Sequence, residues 1–424
     1  MERYNEYKDS GVRWLGQIPS HWRTKRFANL FTGNTLINKD FNYQHAYKFN
    51  YGQLIPKGEI GELEEYREVY SKYSIIEKGD IIINGLNLNY DFISQRVACS
   101  PSKGIITSAY IVCRPRENVN YNYYTYLFKA MDNMKLFHGM GSGIRLTLSF
   151  KELRKQLLFL PPLPEQCAIV SYLDAKCAKC DKLIAGNEKQ ITLLQELKQC
   201  IIADAVTRGI NKNVKYKKTN VSWVGEVPEH WELSTLRCFL TLYSVKNHPG
   251  KQLLSVTREQ GVIIRNTESK EENHNFIPSD LSGYKYVQAG DFCINKMKAW
   301  QGSYGVSKYE GIVSPAYYTC KLKGVNKDFF NIAVRSKTYI SFFAQYSKGI
   351  RVEQWDLSAI ALKEIPFLLP PLSEQHTIVS YITEKTSKID LLTSKLQKEI
   401  EHLKEYKQRL ISDVVTGQIK VCTE

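Results

Sequence analysis

The 424-residue sequence has no long apolar run. None of its hydrophobic stretches approaches the roughly 20 residues that a membrane-crossing helix needs. The opening MERYNEYKDS is polar, with no apolar segment behind it, so no secretory signal is read there and the expectation is a cytoplasmic protein. Cysteine is present but unorganised: ten residues are scattered without a spaced framework. That excludes a disulfide scaffold, and a chain in the cytoplasm keeps such thiols reduced. No G-x-x-x-x-G-K-[ST] loop is available to cradle ATP phosphates. Acidic residues are in deficit, 43 against 58 Lys and Arg, for a formal charge of +15. Positive charge dispersed over a chain with 27 Tyr points to a polyanionic partner, nucleic acid ahead of membrane because no basic amphipathic helix stands alone. What is present is an ordinary globular composition. A hydrophobic fraction of 43% and a charged fraction of 24% exclude wholesale disorder, and the length suffices for two or more domains with separate cores.

The chain is also written twice. YKDSGVRWLGQIPSHW (7–22) returns as YKKTNVSWVGEVPEHW (216–231), LPPLPEQCAIVSYL (160–173) as LPPLSEQHTIVSYI (369–382), and ELKQCIIADAVTRG (196–209) as EYKQRLISDVVTGQ (405–418). All three recur at one offset of 209 residues, which identifies a tandem duplication. Trp14, Gly16, Pro19, His21 and Trp22 thus correspond to Trp223, Gly225, Pro228, His230 and Trp231. Between these blocks only echoes persist, such as GDIIIN (79–84) with GDFCIN (290–295) and GIITSAY (104–110) with GIVSPAY (311–317). Short β-type runs bounded by turn residues, interrupted by amphipathic segments, suggest a mixed α/β domain with a curved or barrel-like sheet in each copy.

After each proline junction a 3–4 apolar spacing predicts a helix of about 43 residues, about 65 Å long at the α-helical rise. Its stripe is read through Ile169, Leu173, Cys180, Leu183, Ile191, Leu194, Leu197 and Ile201, and through Ile378, Ile382, Ile389, Leu392, Ile400, Leu403, Tyr406 and Leu410. Two matching stripes favour an antiparallel coiled coil. The fold class is therefore α+β: a duplicated α/β domain plus long helix, the helices pairing with each other. The divisions are 1–158, 159–209, 210–367 and 368–424, domain and helix alternating.

Two divergent basic modules joined by rods suit a long ligand with two features at fixed separation, and DNA is the natural one. The recurring G-I-R, apolar strand, L-P-P-L-x-E-Q and long helix, with the W-x-G-x-x-P-x-x-W block, resemble the specificity subunits of type I restriction-modification systems across the whole chain. NKMKAWQGSYGVSKYEGIVSPAYY (295–318) also resembles a stretch of that family's target-recognition domains. The resemblance implies two target-recognition domains reading a bipartite, asymmetric site in double-stranded DNA, with helices as spacer. It implies a non-catalytic chain that binds two adenine-methylating modification subunits and ATP-driven restriction subunits. No cofactor is then expected in this chain; S-adenosylmethionine, ATP and magnesium would belong to the partners. The only Pro-Pro pairs sit in Leu-flanked LPPL, so the [DNS]-P-P-[YFW] loop of an adenine methyltransferase is missing. A coiled-coil adaptor for two protein-binding domains is the alternative from another class, disfavoured by the charge. A self-contained nuclease or methyltransferase is disfavoured by the missing motifs.

Contact residues are sought among Lys, Arg, Asn, Gln and aromatics in loops that differ between copies. The first module offers Asn84, Asn87, Asn89, Arg96 and Lys103, the second Arg258, Lys296, Lys298, Trp300 and Gln301. Arg145 and Arg351 match each other, which suits phosphate anchoring. GMGSG (139–143) reads as a mobile loop beside DNA rather than a cofactor loop. Cys177 and Cys180 read as small coiled-coil core residues rather than a zinc or redox pair. His21, His230 and the duplicated tryptophans read as structural or docking residues, because base-reading residues should differ between modules.

Overall fold

The computed structural model describes residues 2–12, 14–34, 36–59, 64–117, 119–141, 143, 146–219, 221, 224–267, 277–349 and 355–421. The chain forms two compact units, Met1–Asn187 with Gln397–Glu424, and Glu188–Leu396. Each unit contains one α/β domain, one half of the first long helix (Leu163–Arg208) and one half of the second (Leu372–Val415).

The diverged middles share one central sheet. In the first unit its strand order is Phe31–Gly33, Ile111–Pro115, Ile81–Ile83, Val97–Cys99, antiparallel throughout. In the second it is Leu240–Tyr243, Tyr318–Leu322, Phe292–Ile294, Tyr304–Val306, with the same pairings. Smaller sheets surround it, and the first unit adds a four-stranded one built from Gln53–Glu59, His45–Asn50, Gly104–Ile106 and Ser74–Ile76. The echo GDIIIN/GDFCIN has a structural cause. Gly79 and Gly290 turn with positive φ, 88° and 92°, as glycine does most readily. The buried carboxylates of Asp80 and Asp291 accept from the N–H of Glu77 (2.8 Å) and Gln288 (2.7 Å) in those turns. Each also meets a cation on the neighbouring strand, Arg114 through two bonds of 2.9 and 2.7 Å, and Lys321 at 2.9 Å. A buried carboxylate is tolerable only when paired and hydrogen-bonded, so both copies keep the whole arrangement.

The repeated proline junction is explained by its Glu-Gln pair. Gln166, fully buried, donates to the Pro161 carbonyl at 2.8 Å and accepts from the Asn120 N–H at 3.1 Å. Gln375 does the same to Pro370 and Asn326, both at 2.8 Å. One amide thereby satisfies a carbonyl and an N–H where strand becomes helix, two groups that would otherwise be buried unpaired. The preceding glutamate ties down the leading block: Glu165 lies 2.8 Å from His21 and accepts from Tyr4, and Glu374 lies 2.8 Å from His230 and accepts from Trp231 Nε1 at 3.1 Å. The two histidines are thus structural tethers in matching places.

The leading block of each unit closes on a helix end. Trp22 packs beside Gly417 and Trp231 beside Gly209, and both glycines have φ above 70°. A Cβ on Gly417 would lie 2.5 Å from Pro19 Cδ, so this helix stop needs glycine for space as well as for φ. Each tryptophan is fully buried, and at about 25 cal/mol per Å2 over about 200 Å2 such burial stabilises by up to about 5 kcal/mol. Trp14 packs against Phe159 at 5.4 Å between rings; Trp223 lies outside the described residues.

The long helices run 46 and 44 residues without interruption. In the first unit they lie antiparallel, with Lys407 reaching Asp181 at 2.6 Å, and in the second Lys198 reaches Asp390 at 2.6 Å. These are one pair seen twice, since Asp181 corresponds to Asp390 and Lys198 to Lys407 at the 209-residue offset. The sequence-read stripe needs correcting at four positions: Leu183, Leu197, Leu392 and Tyr406 are exposed. The covered positions are the next residues along, Ile184, Lys198, Thr393 and Lys407. The spacing is a strict heptad, which drifts from a 3.6-residue reading, and the lysines fit it by covering their stems while the ammonium groups reach out to aspartate. Cys177 and Cys180 are buried in this seam.

Candidate nucleic-acid interface

In the second unit three chain segments converge on a groove of about 910 Å3. The first is the hairpin Leu254–Thr257 with Gly261–Ile264, whose turn carries Arg258, Glu259 and Gln260. The second is the 3-10 segment Lys296–Gln301, which follows the central strand Phe292–Ile294 and ends at Gly302 with φ 90°. The third carries Ser314 and Tyr317. Arg258, Lys298 and Gln301, read from the sequence as contact residues, all line the groove. Lys298 and Arg258 are exposed cations there; the Arg258 guanidinium meets its neighbour Glu259, at 3.1 Å.

Two other sequence candidates lie outside the lining. Lys296 is tied to Asp356 at 2.9 Å, a bond that raises its pKa. Trp300 packs its ring 5.1 Å from that of Trp355. The side chains of both are engaged within the unit itself.

Sequence reading missed Asn295, Arg265 and Tyr317, which also line the groove. Asn295 is only 5% exposed, and among the described residues its Oδ1 has no hydrogen-bond partner. A buried acceptor left unpaired costs about 1–3 kcal/mol, a cost that a donor entering the groove would remove. The signal was available: Asn295 ends GDFCIN where Asn84 ends GDIIIN. Arg335 was also missed. It donates to the carbonyls of Tyr304 (2.6 Å), Arg258 (3.1 Å) and Glu259 (2.7 Å), fastening the hairpin turn, and its burial lowers its pKa. Gly261 packs against this guanidinium, where a Cβ would lie 3.0 Å from Nη1.

The first unit builds the corresponding region differently. Arg96 is 1% exposed and donates to the carbonyls of Asn84, Leu86, Asn87 and Asp91 at 2.7–3.4 Å. Every described bond of its guanidinium goes to the inside of the 84–91 loop. Asn84 spends its side-chain oxygen on the Leu86 N–H at 3.2 Å. Asn87 is exposed with φ 51°, and Asn89 is half-buried with its Oδ1 unpaired. Lys103 is exposed, over the Tyr43 ring at 4.6 Å and 2.9 Å from Glu77; bonds to these two groups raise its pKa. The glycine-rich stretch follows a 3-10 turn after the helix Tyr121–Asn133, and Leu146 beyond it accepts from the Leu88 N–H at 3.2 Å. Arg145 and Arg351 lie outside the described residues.

What the two regions have in common is cations and amides on loops fastened by an arginine, buried in the first unit and half-buried in the second. Such groups hydrogen-bond phosphates and base edges. Among the described residues no group of His, Cys, Asp or Glu is arranged to hold a metal, and no helix is long and apolar enough to cross a membrane.

Comparison with known proteins points the same way. The family described as "Type I restriction modification DNA specificity domain" matches residues 19–193 and 247–402. Two proteins of Methanocaldococcus jannaschii, carrying the names type I restriction enzyme MjaX and MjaVIII specificity subunit, are each 23% identical. The first match covers 96% of both chains, the second 85% of this chain and 84% of the relative. A chain solved in work on complex assembly and conformational transition of the type I R-M system superposes with a TM-score of 0.68 at 15% identity, over 95% of this chain and 99% of its own. At that identity it supports the fold alone.

Proposed function

Because this chain belongs to the type I restriction modification DNA specificity domain family, with two copies of the domain, we propose that it is the DNA-reading subunit of a type I restriction-modification complex. Each unit reads one half of a bipartite, asymmetric site in double-stranded DNA, and the long helices set the unread gap. The observation that carries this reading is the contrast between constant and variable parts. Junction, central sheet and helix pair are repeated, whereas the cations and amides of the second unit's groove (Arg258, Arg265, Lys298, Gln301) have no like-placed counterparts in the 84–91 loop of the first, which shares with it the asparagine of GDIIIN and GDFCIN.

Chemistry then falls to partners: two modification subunits that use S-adenosylmethionine, and restriction subunits that use ATP and magnesium, all in the cytoplasm. This chain supplies position. Its groove holds phosphate-competent cations at the edge and a desolvated amide oxygen within, and an acceptor of that kind discriminates among bases by the exocyclic amino groups that can donate to it.

The test is to map methylated adenines in DNA modified by the complex, alongside binding by the full chain as salt is varied. A two-part motif with unlike halves, and affinity falling steeply with salt, is the expected result. A chain that binds no duplex at low salt, or a motif with a single uninterrupted half, would refute it.

A further inference from the structure

The first unit carries an exposed apolar tip that nothing in its own fold requires. In the loop LNLNYDFISQR (86–96), Ile93 is 92% exposed, Tyr90 78% and Phe92 54%. A solvated loop of this composition would ordinarily fold these side chains inward, and here the loop is held so that they stay out. Arg96 fastens its carbonyls from below. Asp91 Oδ1 accepts from the N–H of Ile93 (3.0 Å) and Ser94 (2.9 Å), fixing the turn at the tip, and these bonds lower its pKa. The Phe92 ring stacks on His138 at 4.7 Å with 20° between planes, and Leu88 anchors the loop in the core. A second turn abuts its base: Gly52, whose Cβ would lie 2.5 Å from Gln95 Cγ, sits beside Tyr51, itself exposed.

We infer that Ile93, flanked by Tyr90, is a wedge that enters a base step of the half-site read by the first unit. The inference rests on the DNA-reading function proposed above and adds how that half is read. The occupant is argued from size and surroundings. A protein interface covers about 800 Å2 on each partner around a packed centre, whereas a base step accepts one or two apolar side chains and opens around them. The amides of Asn87 and Asn89 share the loop, and such groups pair with base edges. A preformed wedge lowers the ordering cost of binding. It also selects sequence without a hydrogen bond, because pyrimidine–purine steps unstack most readily.

The experiment selects duplexes from a random library with the full chain assembled with its modification subunits, then places 2-aminopurine at the preferred flexible step. The variants are Ile93→Ser and Ile93→Leu, both at a solvated position that leaves the core intact. Wild type is expected to raise the probe's fluorescence and to bind a duplex mismatched at that step about ten-fold tighter than an intact one, the scale of one spared unstacking. Ile93→Ser should abolish both effects, and Ile93→Leu should keep them. If Ile93→Ser retains the fluorescence change and the step preference while the complex still selects a two-part sequence, the wedge is refuted and the DNA-reading function stands. If Ile93→Ser instead fails to assemble with the modification subunits, the tip is a protein contact and the wedge is again refuted. A wild-type complex that selects no sequence at all would overturn both.

Discussion

Arg335 should hold the reading groove of the second unit, and Arg335→Met tests this while keeping most of the stem's volume. The guanidinium makes three hydrogen bonds to carbonyls, of which those to Arg258 and Glu259 lie in an exposed turn and that to Tyr304 is partly buried. Water can replace the first two at little net cost. The Tyr304 carbonyl loses a charged donor at a site water reaches poorly, worth about 1–3 kcal/mol. The guanidinium's own desolvation, evident in its lowered pKa, offsets part of that loss, so a decrease of about 2 kcal/mol is expected. Hydrogen exchange is the direct assay: the amides of the hairpin Leu254–Thr257 with Gly261–Ile264 should exchange about 30-fold faster at that cost. Binding should weaken by about ten-fold for DNA varied in the second half-site and by nothing for DNA varied in the first. Arg335→Lys, able to reach fewer of the carbonyls, should fall between. Unchanged exchange in the hairpin, or equal loss of preference in both half-sites, would refute the fastening role.

Gln375→Ala should cost about 2–4 kcal/mol in chemical denaturation, because it leaves the Asn326 N–H and the Pro370 carbonyl unpaired in a buried junction; Gln166→Ala should match it, and losses under about 1 kcal/mol would contradict the account. Lys298→Ala, at the groove edge, should relax preference at particular positions of one half-site in a library selection, whereas Arg351→Ala should weaken binding to all sequences and reduce the salt slope by about one. Exchanging residues 232–350 for the equivalent part of a relative should alter one half of the methylated motif and leave the other unchanged, as read by methylation mapping.

The duplication and the junctions were legible because side chains that satisfy buried backbone groups have few substitutes. Gln166 and Gln375 each bridge a carbonyl and an N–H, and only a side chain with both donor and acceptor at that reach can do so. Helix existence was legible for the same reason that its inner face was partly misread. Adjacent apolar residues such as Leu391 and Leu392 compete for one stripe, and the choice between Leu392 and Thr393 depends on the partner helix rather than on hydrophobicity. The candidate contact residues were legible by type, whereas the direction of their side chains was not. Lys296 and Lys298 are two residues apart in one 3-10 segment, yet the first turns to Asp356 and the second lines the groove. Nothing in the sequence announces the four carbonyls arranged around the buried guanidinium of Arg96.

One substitution between the copies bears directly on the difference between their surfaces. The position of Arg96, just before the strand Val97–Cys99, is held by Ser303 before the strand Tyr304–Val306. The backbone there is the same: Arg96 O accepts from the Asn84 N–H and Ser303 O from the Asn295 N–H, both at 2.9 Å. In the first unit the long side chain runs under the loop and takes up its carbonyls, so the loop is filled from within and its apolar tip is pushed out. In the second unit the serine leaves that volume open. Ser303 and Asn295 line the groove, the Asn295 Oδ1 is buried and unpaired among the described residues, and the fastening arginine comes instead from position 335, outside the central sheet. A large side chain at this position therefore yields a projecting loop and a small one a recess, on a sheet whose strand order does not change. Two different surfaces thus arise from one scaffold without disturbing the junctions or helices that the copies share.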